Sequence, residues 1–204
     1  AQRALDEVAP IADRPIGRIL DAMPRSRGGE YALGNLIADA FREATKTDVA
    51  VMNPGGVRAD LAAGEATYGT LYEIAPFANV LYVVTVRGDA LQRYLGRLVS
   101  GSQGPRAFIS GATVAYDPTR PADDRLVEAR IAGRPIDPRR EYTLTLSDFL
   151  LTDPAEAAEI EAGRRAIADS RGLPFPVDTP AYGGAIYRTI SARAAQKALE
   201  EGEG

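Results

Sequence analysis

The sequence predicts an α+β domain, with mixed β-sheets and flanking helices, on three observations. Short apolar runs rich in valine and tyrosine read as buried strands. At least two longer segments carry one apolar stripe at helical spacing. The two kinds of segment alternate without the regular rhythm of βαβ units, which argues against a purely parallel sheet. The length, 204 residues, favours one domain over two and is enough to bury a core without disulfides.

Along the chain, residues 1–9 read as a short amphipathic helix stopped by Pro10. Pro15 to Leu20 reads as extended, and Asp21–Gly29 as a polar loop. Glu30–Thr45 is the clearest helix, with Leu33, Leu36, Ile37, Ala40 and Phe41 at i, i+3, i+4, i+7 and i+8. Asp48–Met52 is a buried strand, closed by a sharp turn at Asn53-Pro54-Gly55-Gly56. Thr67–Ala75 fits a short helix capped by Thr67 or Thr70. Val80–Val86 is the strongest strand pattern. Asp89–Val99 is a helix with Leu91, Tyr94, Leu95 and Leu98 on one face. A glycine-rich loop, Ser100–Arg106, leads to strands over Ala107–Tyr116, Arg125–Ile131 and Glu141–Leu146. Turns fall at Asp117-Pro118 and Asp137-Pro138. Pro154–Ser170 reads as a helix, Arg171–Pro180 as a proline-rich loop, and Ser191–Glu201 as a final helix with Ser191 as its N-cap.

Composition excludes several chemistries. There is no histidine and no cysteine. Zinc fingers, iron–sulfur ligation, cysteine nucleophiles and Ser-His-Asp triads are therefore ruled out for this chain. Only all-oxygen cation sites remain. The net charge of −4 offers no basic excess for nucleic acid or anionic membrane. The longest apolar stretch is far too short to span a bilayer.

Four groupings are candidates for chemistry. Asn53 to Arg58 follows a buried strand. Its glycines, Gly55 and Gly56, allow close backbone approach and an N–H nest for an anion, and Arg58 adds a guanidinium suited to phosphate. A tight turn with a solvated arginine is the competing reading. Arg25 and Arg27, beside Gly28-Gly29 at a helix start, suit an anion or form an exposed basic loop. Phe77 and Phe149 stand outside any apolar stripe, so each either stacks a planar ring or anchors the core. Asp123-Asp124 reads as a solvated turn between two strands rather than a cation site.

Taken in order, these segments resemble one family. The run Gly34-Asn35-Leu36-Ile37-Ala38-Asp39-Ala40, then Asn53-Pro54-Gly55-Gly56-Val57-Arg58, Pro76-Phe77-Ala78-Asn79, and the stretch from Gly133 to Phe149 is similar to the C-terminal domain of the 5′-nucleotidase and UDP-sugar hydrolase family. The likeness covers about residues 15–151. It implies that the chain, 1–204, is such a substrate-binding domain. Residues 1–14 would then be linker or helix from a missing N-terminal domain, and 152–204 a divergent C-terminal part. It further implies that hydrolysis belongs to an N-terminal metallophosphatase domain of the same polypeptide, holding two divalent metal ions. This chain alone would be inactive and would hold no cofactor. Arg27 and Arg58 match phosphate-binding arginines, and Asn53 matches a nucleoside contact. Phe77 and Phe149 match two aromatics that sandwich the base, and Asn79 a base-contacting asparagine. After Phe149 the family's Gly-Gly-Asp loop, which grips ribose, is replaced by Leu150-Leu151-Thr152-Asp153, with Asp153 the candidate substitute. The implied ligand is a nucleotide or another phosphorylated small molecule, and the implied location periplasmic or extracellular. A stand-alone nucleotide-binding module and a decayed structural domain remain alternatives.

Overall fold

The computed structural model describes residues 9–26, 28–77, 79–101, 104–152, 162 and 187–191. A helical turn over 9–12 (α1) opens these residues, and Pro10 lies inside it rather than ending it. The stop comes at Pro15, because the residue before a proline is pushed towards extended backbone. Strand β1 (Pro15–Ile19) pairs antiparallel with β3 (Gly64–Thr67) as a separate two-stranded ribbon.

A five-stranded sheet forms the centre, in the order β10-β4-β9-β2-β5. Its members are β2 (Val49–Met52), β4 (Val80–Arg87), β5 (Phe108–Ser110), β9 (Glu141–Ser147) and β10 (Tyr187–Ser191). Only β2 and β9 run parallel, and the other neighbours are antiparallel. The strand β10 was not expected from sequence. Ser191, expected as a helix cap, is its last residue and pairs with Val80. The helices expected over 154–170 and after Ser191, and the loop over 171–180, lie outside the described residues apart from Ala162, which is helical.

Both faces of this sheet are covered. On one face, Val49 and Val51 pack with Leu144, Leu146, Val84 and Val86 under helix α4 (Gly88–Leu98). The expected stripe of α4, Leu91, Tyr94, Leu95 and Leu98, is wholly buried there. The three-stranded sheet β6-β7-β8 (Ala112–Tyr116, Leu126–Ile131, Arg134–Pro135) closes the same side, with Ala129 buried and Leu126 packed against the core. On the opposite face Met52 joins Leu33 and Ala38 of helix α2 (Ala32–Thr45), Phe108, and Ile74 of helix α3 (Tyr68–Ile74). Burial on both faces explains why β2 is a continuous apolar run with no polar alternation.

Three expectations are refined here. The buried face of α2 is Leu33, Gly34, Ala38 and Thr45. Of the expected stripe, Leu33 is buried and Ile37 and Phe41 pack against the core, whereas Leu36 is 45% exposed and Gly34 and Ala38 complete the contact. The single strand expected over Ala107–Tyr116 is two, β5 and β6, in different sheets. Gly111 between them has φ +83°, where an added Cβ would lie 2.1 Å from the Asp48 carbonyl oxygen. A backbone bend open only to glycine redirects the chain from one sheet to the next. Thr67, not Thr70, is the N-cap of α3, and the two form a reciprocal capping box.

Three buried hydroxyls tie α2 to the sheet. Thr145 of β9 lies 2.7 Å from Thr45, the last residue of α2, and 2.8 Å from Thr47, which leads into β2. Gly34 packs its bare Cα against the Phe108 ring, where a Cβ would meet ring atoms at 2.3–2.4 Å. Phe108 in turn meets Tyr31 edge-on at 4.6 Å.

Two predictions follow from this packing. Gly34→Ala overpacks the α2–β5 contact and should cost about 1–3 kcal/mol in urea unfolding. At the start of α4, hydrogen bonding from the Arg87 side chain, with the Ala90 N–H, holds the Asp89 carboxyl down at about 2. A lowered carboxyl stabilises the fold above its ordinary value of 3.8 and loses that effect as pH falls towards 2. The stability gap between wild type and Asp89→Asn should therefore be full above pH ~5 and close on acidification towards pH ~2, as read by denaturant midpoints.

Candidate functional site

Strand direction gathers the candidate residues at one edge of the central sheet. β2 and β9 end there, β4 and β5 begin there, and Ser191 of β10 lies opposite Val80 at the same edge. The Asn53–Arg58 segment leaves β2 at this edge, Phe77 and Asn79 enter β4 beside it, and Phe149 leaves β9 beside it. The first turn of α2 joins them through Tyr31 and Gly34 against Phe108.

After β2, Asn53 is extended and Pro54–Gly56 forms a 3-10 turn with proline at its start. The Gly56 N–H donates to the Asn53 carbonyl at 3.0 Å, and the Val57 N–H to the Pro54 carbonyl at 3.1 Å. Closing the turn thus takes the Gly56 N–H, one of the two glycine donors expected for an anion nest. The next N–H, of Arg58, donates to the Ile74 carbonyl at 2.7 Å. Arg25 clasps the same segment: its Nη1 donates to the Val57 carbonyl at 3.2 Å, and its backbone N–H to Asp60 at 2.9 Å. Of the two arginines expected near the helix start, Arg25 is thus a brace for the turn. Arg27 and Asp153 lie outside the described residues.

Arg58 is exposed and sits with its guanidinium carbon 5.9 Å over the Phe77 ring centroid. Its Nη1 donates to the Gly55 carbonyl at 3.2 Å. Phe77 is 48% exposed and Phe149 57%. Neither is a core anchor, which removes one of the two readings open for them. The core role beside Phe149 falls to Leu150, which is buried. Asn79 is half-buried next to the first residue of β4. Asp123 and Asp124 form an exposed 3-10 turn between β6 and β7, as expected.

The edge also carries unpaired buried polar atoms. Among the described residues, the side-chain oxygens of Asn53, Asn35 and Ser147 are buried without a hydrogen-bond partner. Asn35 spends its amide on Glu30 at 2.6 Å, which leaves its oxygen over. Buried polar groups are normally satisfied, so several orphans at one edge mark a place where a ligand or solvent completes the bonding. Ser147 and Asn35 were not among the candidates from sequence. Only burial reveals their unpaired oxygens, and a serine at the end of a strand carries no pattern that would.

No group of three or more acidic, histidine or cysteine side chains able to hold a metal ion occurs among the described residues. The described residues therefore supply no dimetal centre. No helix among the described residues is long and apolar enough to cross a membrane.

Residues 12–157 match the family described as 5′-nucleotidase, C-terminal domain. The chain belongs to this family. Among curated proteins, Endonuclease YhcR of Bacillus subtilis is 41% identical over 128 residues, covering 62% of this chain and 10% of that protein. Protein UshA of Escherichia coli is 28% identical over 136 residues, covering 67% of this chain and 24% of that protein. The chain therefore spans a quarter or less of either relative. The fold is similar to that of the 5′-nucleotidase precursor from Thermus thermophilus, with a TM-score of 0.73 at 21% identity over 98% of this chain and 39% of that one. In the 5′-nucleotidase C-terminal domain family, then, the glycine of the Gly-Asn-Leu signature has a packing reason here, the face of Phe108.

One prediction tests the orphaned edge. Removing the Ser147 hydroxyl by Ser147→Ala should leave the fold intact and raise its stability by about 1 kcal/mol in denaturant unfolding, because a buried group with no partner is a net cost.

Proposed function

We propose that this domain recognises the substrate of a 5′-nucleotidase-type phosphoester hydrolase, a nucleotide or a related phosphorylated molecule. In this reading Phe77 and Phe149 present flat faces to a planar base. Arg58, with Arg27, takes the phosphate, and Asn53 and Asn79 read polar edges of the ligand. Gly55 and Gly56 keep the turn free of side chains where the ligand approaches. The observation that carries the reading is a pair of exposed phenylalanines at adjoining strand ends, with a guanidinium over one of them and the unpaired Asn53 oxygen nearby.

Each part has a physical rationale. Stacking on an aromatic face suits any base, because every base has a π-surface. A guanidinium matches phosphate geometry through two parallel N–H bonds. A buried carbonyl oxygen without a donor favours a ligand N–H or O–H. Hydrolysis is assigned to an N-terminal metallophosphatase domain outside this chain, and the two metal ions to that domain. Family membership supports this division. Periplasmic or extracellular placement belongs to the same proposal.

Saturation-transfer NMR of the 204-residue chain with AMP, UMP, UDP-glucose and ribose 5-phosphate tests it. Transfer to base protons is expected. Phe77→Ala and Phe149→Ala should each weaken binding by roughly 5- to 150-fold, the equivalent of about 1–3 kcal/mol for one stacked face. Binding that ignores both substitutions would overturn the proposal, as would transfer confined to the sugar phosphate.

A further inference from the structure

We infer that Arg58 also makes the site discriminate against unphosphorylated ligands, by covering the Phe77 ring until a phosphate draws it away. The inference rests on the base-stacking reading above and adds a specificity device to it.

The argument starts from what holds Arg58. Among the described residues its side chain meets the Phe77 ring, 5.9 Å from the guanidinium carbon, and the Gly55 carbonyl at 3.2 Å. No carboxylate pairs with it among the described residues. Arg25 shows the contrast, since it spends its charge on Asp60 and the Val57 carbonyl. The backbone of Arg58 is pinned to Ile74, so the side chain pivots from a fixed point. Both side-chain contacts are weak for an exposed cation. A ring face offers a guanidinium little at an exposed site, and a carbonyl is a neutral acceptor. A phosphate offers two charge-assisted bonds and wins that competition.

The two ligand classes therefore meet different sites. A nucleoside must displace the guanidinium from Phe77 and offers it nothing in return. A nucleotide brings the anion that removes it, so binding the phosphate also bares the ring for the base. The preference for phosphorylated ligands then has two sources in one residue, attraction of the anion and release of the aromatic face.

The distinguishing feature is a pair of effects of opposite sign. In Arg58→Ala the Phe77 ring is permanently bare. Adenosine should bind about 2- to 5-fold more tightly than to wild type, the scale of one exposed cation–π contact. AMP should bind about tenfold or more weakly, the scale of a lost charge-assisted bond. Both affinities are read by NMR titration, with Phe77→Leu as the second variant. If AMP weakens while adenosine stays at or below its wild-type affinity, the guanidinium does not cover the face the base uses. The inference then fails, and the recognition reading stands. If neither ligand binds wild type, or if Phe77→Leu leaves AMP binding unchanged, the base-stacking reading fails and this inference falls with it.

Discussion

The fold depends on strand β2 being buried on both faces. Four consecutive apolar residues, Val49–Met52, lie between a helix-and-sheet layer on one side and α2 with α3 on the other. A strand of this kind cannot slip by one residue without exchanging its two cores, so its register with β9 and β5 is firmly set. That register decides where β2 stops. The turn after it, Asn53–Gly56, is consequently delivered to the sheet edge where β9 also ends and β4 begins. The Thr45, Thr47 and Thr145 hydroxyls reinforce this at the far end of the strand, where α2 turns into β2. They satisfy one another inside the core, so the polar atoms carry little desolvation cost.

The two ends of the sheet thus differ in kind. At the β2 entry every threonine hydroxyl of that cluster has partners, and Asp48 accepts from both the N–H and hydroxyl of Thr143. At the β2 exit, three buried oxygens have none. The turn there is braced from outside by Arg25, rather than filled from within. A rigid, saturated end supporting an unsaturated one is the arrangement expected of a preformed binding edge, where the cost of unpaired groups is offset by the rest of the fold.

Much of this was legible in the sequence, for identifiable reasons. The α4 stripe and the β4 and β9 strands have strong periodicity and one possible partner layer, so pattern and structure coincide. The α2 stripe was legible at Leu33, Ile37 and Phe41 but not at its edge, where Leu36 is exposed and Gly34 and Thr45 are buried. Its contact face is chosen by Gly34 and Thr45, a residue with no side chain and a polar one, and neither registers as apolar. The division of 107–116 into β5 and β6 depends on a positive φ at Gly111, invisible to a pattern of alternating side chains. The chain that forms β10 has no distinctive strand signature, and its partner β4 lies about a hundred residues earlier. The exposed phenylalanines and Arg58 stood out locally as candidates, but only the family resemblance favoured a binding role over the competing readings. Locally, an aromatic after a proline reads equally well as core.

The turn after β2 shows how the same residues serve fold and site. Its glycines were expected to offer N–H groups to an anion. The turn consumes one of these, the Gly56 N–H, together with the Val57 N–H to close itself. A helical turn that satisfies its own donors is stiff, and stiffness is what the next residue requires. Arg58 leaves it with a pinned backbone and a side chain held, among the described residues, by a ring and a carbonyl. Positive charge is therefore concentrated in a movable group on an immovable base. In the proposed reading the anion would be met by a guanidinium that reaches it, not by a backbone cradle that waits for it. The proposed phosphate end of the site would then be linked to its aromatic end through the one side chain that lies by the Phe77 ring, a coupling an N–H nest would not provide.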